Sequence, residues 1–262
     1  RTANGELLDK PGKHAYELLG DSPVRAYVLL NFEPEHDVAA TEKALQVLSQ
    51  AGLVICLSLY ATDQMREYAD FILPISPYSE VSGTYYNVAG MVQQVRAASI
   101  PHGQSKPAWK VLRVLANFMQ LEGFTYANLE AVRDEISALG KAEGSSQELD
   151  ISNWEPLKND VLQRYAYTPI YNTDAMLRRS EPLAQTAWAE AGKASLNMVT
   201  ATKHGFVDGQ MISLSQAGVS LTLPLAIDNT MADGVVAVAK GIDDTKGWGY
   251  GHGAITLQEA AC

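Results

Sequence analysis

Three apolar runs of strand length punctuate the first third of the chain: "AYVLLNF" at 26–32, "LVICLSL" at 53–59 and "DFILPI" at 70–75. Each is apolar at consecutive positions rather than alternate ones, so such a strand presents apolar side chains on both faces, the habit of a parallel sheet buried on both sides. The spacers between the runs read as helices. In "VAATEKALQVLSQAG", Val38, Leu45, Val47 and Leu48 share one helical face, and Gly52 stands where a C-cap glycine belongs. "YATDQMREYA" offers Thr62 as an N-cap, and Pro74 ends the third run. Strands alternating with helices predict an α/β, Rossmann-like portion with a parallel sheet, which we place over 1–145.

"SKPAWKVLRVLANFMQLEGF" continues as a helix with Pro107 near its start, closed by Gly123, in which Trp109, Leu112, Val114 or Leu115 and Phe118 recur at helical spacing. "YANLEAVRDEISALG" is a further helix ending at Gly140, after which "KAEGSSQELDISNWEPLKND" loses apolar periodicity. We therefore expect a boundary near 141–165 and a linker and joining segment over 146–190. From about 195 the texture changes to short β-rich runs, "LNMVTAT", "MISLSQ", "VSLTLPLAI", "GVVAVAKG" and "AITL", which predict a small β-barrel over 191–262.

A net charge of −10 repels polyanions, so nucleic acid is not an expected partner. The chain holds two cysteines, Cys56 and Cys262, too few for an iron–sulfur cluster or a closed Cys-rich zinc site. No apolar stretch reaches 18 residues, and the opening "RTANGELLDK" lacks the regions of a signal peptide, so direct membrane insertion is not expected. Because the first residue is Arg1, we expect a piece of a longer polypeptide, although a trimmed tag would look the same.

Open α/β sheets bind ligands in the crevice outside the carboxyl ends of their strands. Here that crevice is served by 31–37, 58–63 and 74–94. Within the last segment Glu80, Gly83, Thr84, Asn87, Gly90 and Gln93 are the candidate cofactor-binding residues: the glycines allow close backbone approach, and Thr84, Asn87 and Gln93 offer neutral donors and acceptors suited to a pterin or guanine edge. The plainer reading is that the glycines form turns and the polar side chains satisfy loop backbone. If Gly83 lies at positive φ, a β-branched substitute there destabilises the loop. "NFEPEHD" gathers Glu33, Glu35, His36 and Asp37; a metal site or carboxylate pair is weighed against capping of the following helix, and capping is preferred. The histidines are scattered, with no pair at zinc-protease spacing, and no metal or catalytic residue is expected. "GWGYGHGA" reads as a turn-rich cover loop in which Trp248, Tyr250 and His252 alternate with bare backbone.

The segment "TDQMREYADFILPISPYSEVSGTYYNVAGMVQQV" resembles the molybdopterin oxidoreductase superfamily, through Ala69, Asp70, Leu73, Pro74, Glu80, Gly83, Thr84, Asn87, Gly90 and Gln93. Gly205, Asp208, Gly209, Gly218 and Gly234 resemble its carboxyl-terminal dinucleotide-binding domain, a double-psi β-barrel. "PIYNTDAMLRRSEPLAQT" is similar to the joint found in G subunits of bacterial NADH-quinone oxidoreductase, respiratory complex I, with Arg178, Arg179, Leu183 and Thr186 carrying the likeness. That resemblance implies a structural and docking region of the peripheral arm, on the cytoplasmic side of the inner membrane, among other complex I subunits. It also implies iron–sulfur clusters elsewhere in the full-length subunit, no cofactor in this piece, and no catalysis by it alone, electron transfer from NADH to quinone belonging to the intact complex. Where the superfamily pattern reads Glu-Gly-Arg, this chain has Ala89, Gly90 and Met91, which removes a cation from the reach of an anionic cofactor and implies a vestigial crevice. The alternative is a working molybdopterin-dinucleotide-binding portion of a formate-dehydrogenase-like enzyme, with Asn87, Gln93 and 201–209 holding the cofactor.

Overall fold

All three apolar runs become strands in the computed structural model, which describes residues 12–21, 23–87, 89–138, 161–248 and 251–260. The first strands are β1 (Ala26–Leu30), β2 (Leu53–Ser58) and β3 (Phe71–Pro74), followed by β4 (Gly83–Tyr86) and β5 (Val92–Val95). The helices of this stretch are α1 (Pro34–Asp37), α2 (Thr41–Ser49), α3 (Asp63–Tyr68), α4 (Ala108–Phe118) and α5 (Leu129–Ala138). Beyond them come β6 (Gln163–Tyr167), β7 (Ala194–Leu196), β8 (Met211–Gln216), β9 (Val219–Ile227), β10 (Val235–Ala239), β11 (His252–Ala254) and β12 (Thr256–Glu259). Short helices α6 (Ala175–Arg178), α7 (Glu181–Ala184) and α8 (Met198–His204) lie among these strands. The chain divides into two compact units, 1–31 with 51–153 and 32–50 with 154–262.

In the first unit β1, β2 and β3 form a parallel sheet in that order, with Tyr27 opposite Val54 and Cys56 opposite Ile72. Thr62 caps α3 as expected, its Oγ1 accepting the Met65 N–H at 3.0 Å, and the helix buries Met65 and Tyr68. The expectation of burial on both faces is corrected. Tyr27, Val54 and Cys56 are buried on one face, whereas Val28, Leu30 and Phe71 on the other are 52%, 47% and 58% exposed. Apolar runs report what a strand can bury; here one face is buried and the other only in part, at Leu57. The C-cap expectation is corrected too: α2 ends on Gln50, and Gly52 donates its N–H to Arg25 O at 2.9 Å. Val38 is likewise outside α2, since it terminates α1; the buried stripe of α2 is Thr41, Ala44 and Leu48. Gly140, the expected end of α5, and most of the expected boundary lie outside the described residues.

In the second unit seven strands form one curled mixed sheet in the order β11-β6-β10-β7-β9-β8-β12. β6 with β10 and β7 with β9 run parallel; the other neighbours are antiparallel. β11 and β12 sit at opposite edges of this order, yet only Ile255 separates them in the chain, and its N–H donates to Leu162 O at 2.9 Å. One continuous segment thus joins the two edges, which makes the domain barrel-like. Its core is Leu196, Ile212, Leu214, Leu225, Val236 and Val238 with Trp248 and Ile255.

Two expectations for this half are corrected. "LNMVTAT" is strand only up to Leu196, because Asn197 Oδ1 accepts the Thr200 N–H at 2.8 Å and starts α8. Nor is "GWGYGHGA" only a cover loop: Trp248 is a buried core residue whose Nε1–H donates to Val219 O at 3.2 Å, and His252 opens β11. Tyr250 lies outside the described residues. The barrel also buries Arg164, whose guanidinium stacks 4.1 Å from the Trp248 ring centroid and donates to Gln216 Oε1 at 3.0 Å and Trp248 O at 2.9 Å. Burial lowers the pKa of Arg164 to about 10, so it stays charged at neutral pH.

Candidate functional site

The candidate residues of the first unit fall on one β-hairpin. Beyond Pro74 the chain makes a single 3₁₀ turn at Tyr78–Glu80, and Glu80 Oε2 accepts the His102 N–H at 2.9 Å. β4 and β5 then pair antiparallel, setting Gly83 opposite Val95, Thr84 opposite Gln94 and Tyr85 opposite Gln93. Asn87 organises the connecting turn. Its Oδ1 accepts N–H groups from Ala89 at 3.0 Å and Met91 at 2.9 Å, and its carbonyl accepts the Gly90 N–H at 2.9 Å. Gly90 takes φ +75, a left-handed conformation that L side chains adopt reluctantly.

Gly83 does not: it is an ordinary strand residue, which corrects the positive-φ expectation. A Cβ there meets the Tyr85 ring at 3.3 Å, so glycine at this position makes room for the ring. The hairpin therefore brings Gly83, Thr84 and Gln93 onto one ladder and Asn87 and Gly90 into its turn, with Glu80 engaged outside it. All four β5 residues are exposed, and Met91 is exposed where the superfamily pattern places a cation.

In the second unit "EPEHD" meets "LRRS". Asp174 Oδ1 caps α6 by accepting the Met176 and Leu177 N–H groups at 2.8 and 2.9 Å, which fixes the helix that ends on Arg178. Glu33 is 2% exposed and Arg178 6%; Arg178 Nη2 lies 3.0 Å from Glu33 Oε2, and Arg179 Nη2 lies 2.9 Å from Glu33 Oε1. Arg178 Nη1 also reaches Asp37 Oδ1 at 3.3 Å, while Asp37 Oδ2 accepts the Glu33 N–H at 2.8 Å; the capping expectation is thereby corrected, because α2 starts after Ala40 with no side-chain cap and Asp37 ends α1 instead. His36 Nδ1 lies 3.2 Å from Gly241 O, and its pKa is lowered by burial first and by the Arg178 charge second.

The donor atoms of Glu33, Glu35 and His36 lie within 4.8 Å of one another, a grouping a metal ion could use. Two guanidinium groups already neutralise Glu33 and set positive charge against any further cation, so the geometry is that of an ion-pair network. In the sequence Arg178 and Arg179 stand out as family marks, but their partner does not. The available signal was the residue Glu33 itself, an acid ahead of Pro34, where a helix entry leaves an acid free to pair.

The barrel residues singled out by resemblance sit at its turns. Gly205, Gly209, Gly218 and Gly234 all have positive φ, and Asp208 Oδ1 accepts the Ile227 N–H at 2.8 Å. Asn197, buried, joins this end of the barrel to the 231–234 turn through Nδ2, which donates to Met231 O at 3.0 Å and Asp233 Oδ1 at 2.6 Å.

Residues 1–118 match the family model Molybdopterin oxidoreductase. More particularly, the chain is similar to the "NADH-ubiquinone oxidoreductase 78 kDa subunit, mitochondrial" of Candida albicans, 32% identical over 144 residues, covering 47% of this chain and 19% of that protein. It is also similar to the G subunit of NADH-quinone oxidoreductase from Streptomyces coelicolor, 28% identical over 213 residues, covering 76% of this chain and 24% of that protein. A "Putative formate dehydrogenase" of Staphylococcus aureus is 38% identical over 72 residues, covering 28% of this chain and 7% of that protein. The chain thus spans a quarter or less of the length of these relatives. Among solved structures, acetylene hydratase from Pelobacter acetylenicus matches with a TM-score of 0.62 at 17% identity, covering 94% of this chain and 46% of that chain, a likeness of fold. Among the described residues no helix is long and apolar enough to cross a membrane.

Proposed function

We propose that this chain is the carboxyl-terminal region of a complex I G subunit, a structural and docking part of the peripheral arm that keeps a molybdopterin-enzyme fold around a vestigial crevice. The observation that carries this reading is the extent of the likeness to the Streptomyces G subunit, which runs over 76% of the chain. Under this reading the barrel is of double-psi type, consistent with its two parallel strand pairs inside a mixed sheet. NADH oxidation and electron relay to quinone belong to other regions and subunits, the iron–sulfur clusters to other parts of the full-length subunit, and the region sits peripherally on the cytoplasmic side of the membrane.

The residues at the crevice support this vestigial character. Asn87 Oδ1 is occupied by two backbone N–H groups, Glu80 by a third, and the cation of the family pattern is replaced by Met91. An anionic dinucleotide would meet a carboxylate at Glu80, a neutral amide at Asn87 and an apolar side chain at Met91, and these residues fit it poorly. Residues 1–118 and the short formate dehydrogenase likeness leave one second reading, a portion that binds a molybdopterin dinucleotide, and it differs in a measurable way by requiring bound pterin.

Native electrophoresis of detergent-solubilised membranes from cells expressing the tagged full-length protein tests the assignment. We expect the tag in the band that oxidises NADH with a quinone acceptor. A tag that migrates apart from that band, in a species containing molybdenum, overturns it.

A further inference from the structure

Residues 32–50 lie between β1 and β2 in the chain and pack as part of the carboxyl-terminal unit. The stretch is tied to itself: Thr41 Oγ1 donates to Val38 O at 2.9 Å, joining the start of α2 to the end of α1. Its fastenings to 154–262 are polar. Glu33 meets Arg178 and Arg179, Asp37 meets Arg178, and His36 Nδ1 lies 3.2 Å from Gly241 O. Gly241 lets the two backbones close up, since a Cβ there would stand 3.6 Å from His36 O. All of these contacts are internal to the chain.

The barrel does not draw on this stretch for its interior. Its buried core runs from Leu162 to Ile255, and among the described residues none of 32–50 enters it. Where the two meet there are gaps, which a close-packed interior seldom leaves. A hollow of about 100 Å³ is lined by 40–43 together with Ala217, Val219 and Gly247. A second, of about 20 Å³, is lined by Glu35, His36 and Thr41 with Arg164, Lys240 and Thr245. Once detached, α1 and α2 have four and nine residues, too few to persist as helices in water. A stretch fastened by charge at a gapped contact, beside a core complete without it, can open while that core stays packed.

We propose that 32–50 is a strap that releases from the carboxyl-terminal unit and reseats on it while the barrel stays folded, with Arg178 and Arg179 as its clasp. The arginine pair then has an intrachain role, receiving Glu33, and the strap has an opening of its own at a lower free energy than unfolding of the barrel.

Hydrogen exchange of the full-length protein tests this, read by mass spectrometry under conditions where opening is a fast pre-equilibrium. An interaction lost in an opening sets the exchange rate of the amides that open, and one that survives it does not. Ile212 is buried in the barrel core, on β8. Ile212→Val is therefore expected to speed exchange at Met211–Gln216 about threefold to tenfold and to leave Thr41–Ser49 within about twofold of the wild-type rate. Glu33→Gln removes the charge the clasp holds and is expected to speed exchange at Thr41–Ser49 at least about tenfold. Should that variant not fold, Arg179→Gln serves in its place: its side chain is 29% exposed, it leaves Arg178 on Glu33, and a rise of at least about threefold is expected. Equal responses of the two stretches to Ile212→Val, or any rise beyond about twofold at Thr41–Ser49, overturn the proposal, because strap and barrel then open as one. So does a smaller rise than expected at Thr41–Ser49 in the clasp variant, because the strap is then held by something else.

Discussion

Glu33 is the residue on which the second unit concentrates charge: one buried carboxylate held by two guanidinium groups, with Asp37 taking a share of Arg178. Removing one partner of such a network leaves the others buried and uncompensated, so Glu33→Ala is expected to cost about 3–5 kcal/mol in urea unfolding of the full-length protein, with Arg178→Lys costing less but still losing the two-pronged geometry. His36, next to the network, gives a pH signature. Its folded pKa lies below the ordinary 6.5, so between those values the unfolded chain binds more protons than the folded one. Stability from this source is intact above about pH 6.5 and falls as the pH drops below it. His36→Gln should flatten the decline of Tm between pH 7 and 5; an unchanged slope would mean that burial does not depress this group. The sequence showed the acids and the arginines separately. It could not show that residues so far apart meet, because nothing in local spacing encodes a long-range ion pair.

Elements were legible where the backbone's needs are local. The runs that became β1, β2 and β3 and the Thr62 cap follow from apolar length and from a hydroxyl ahead of a helix. Thr62→Ala should cost about 1 kcal/mol, readable as a lowered urea midpoint with an unchanged slope. The misses share a cause. "LNMVTAT" is β-branched and apolar, yet a single asparagine cap outweighs that weak strand preference, and Trp248 among glycines looks like loop until the barrel wraps around it. The hairpin gives a contrast at two glycines. Gly90→Val forces a β-branched residue to φ near +75 and should cost about 1–2 kcal/mol locally, seen as faster hydrogen exchange at the Ala89 and Met91 amides. Gly83→Ala asks only that the Tyr85 ring move by a few tenths of an ångström, and those amides should exchange at the wild-type rate.

For the molecule as a whole, the parallel sheet and the run of short strands in the mixed sheet follow from texture: apolar runs with helical spacers, then short strands broken by glycine. What texture could not show is that 32–50, lying between β1 and β2 in sequence, belongs to the carboxyl-terminal unit, since unit membership is decided by packing rather than by order along the chain. The engagement of the hairpin residues was not legible: Asn87 as a turn former and Asn87 as a ligand donor have the same one-letter code. The claim of a molybdopterin-enzyme fold kept without its cofactor is therefore best tested on the full-length protein purified from its own host. Acid release and oxidation of any bound pterin, followed by mass spectrometry of the extract and calibrated against protein concentration, reads occupancy directly. Pterin far below one molecule per chain is expected; stoichiometric pterin dinucleotide would contradict a vestigial crevice.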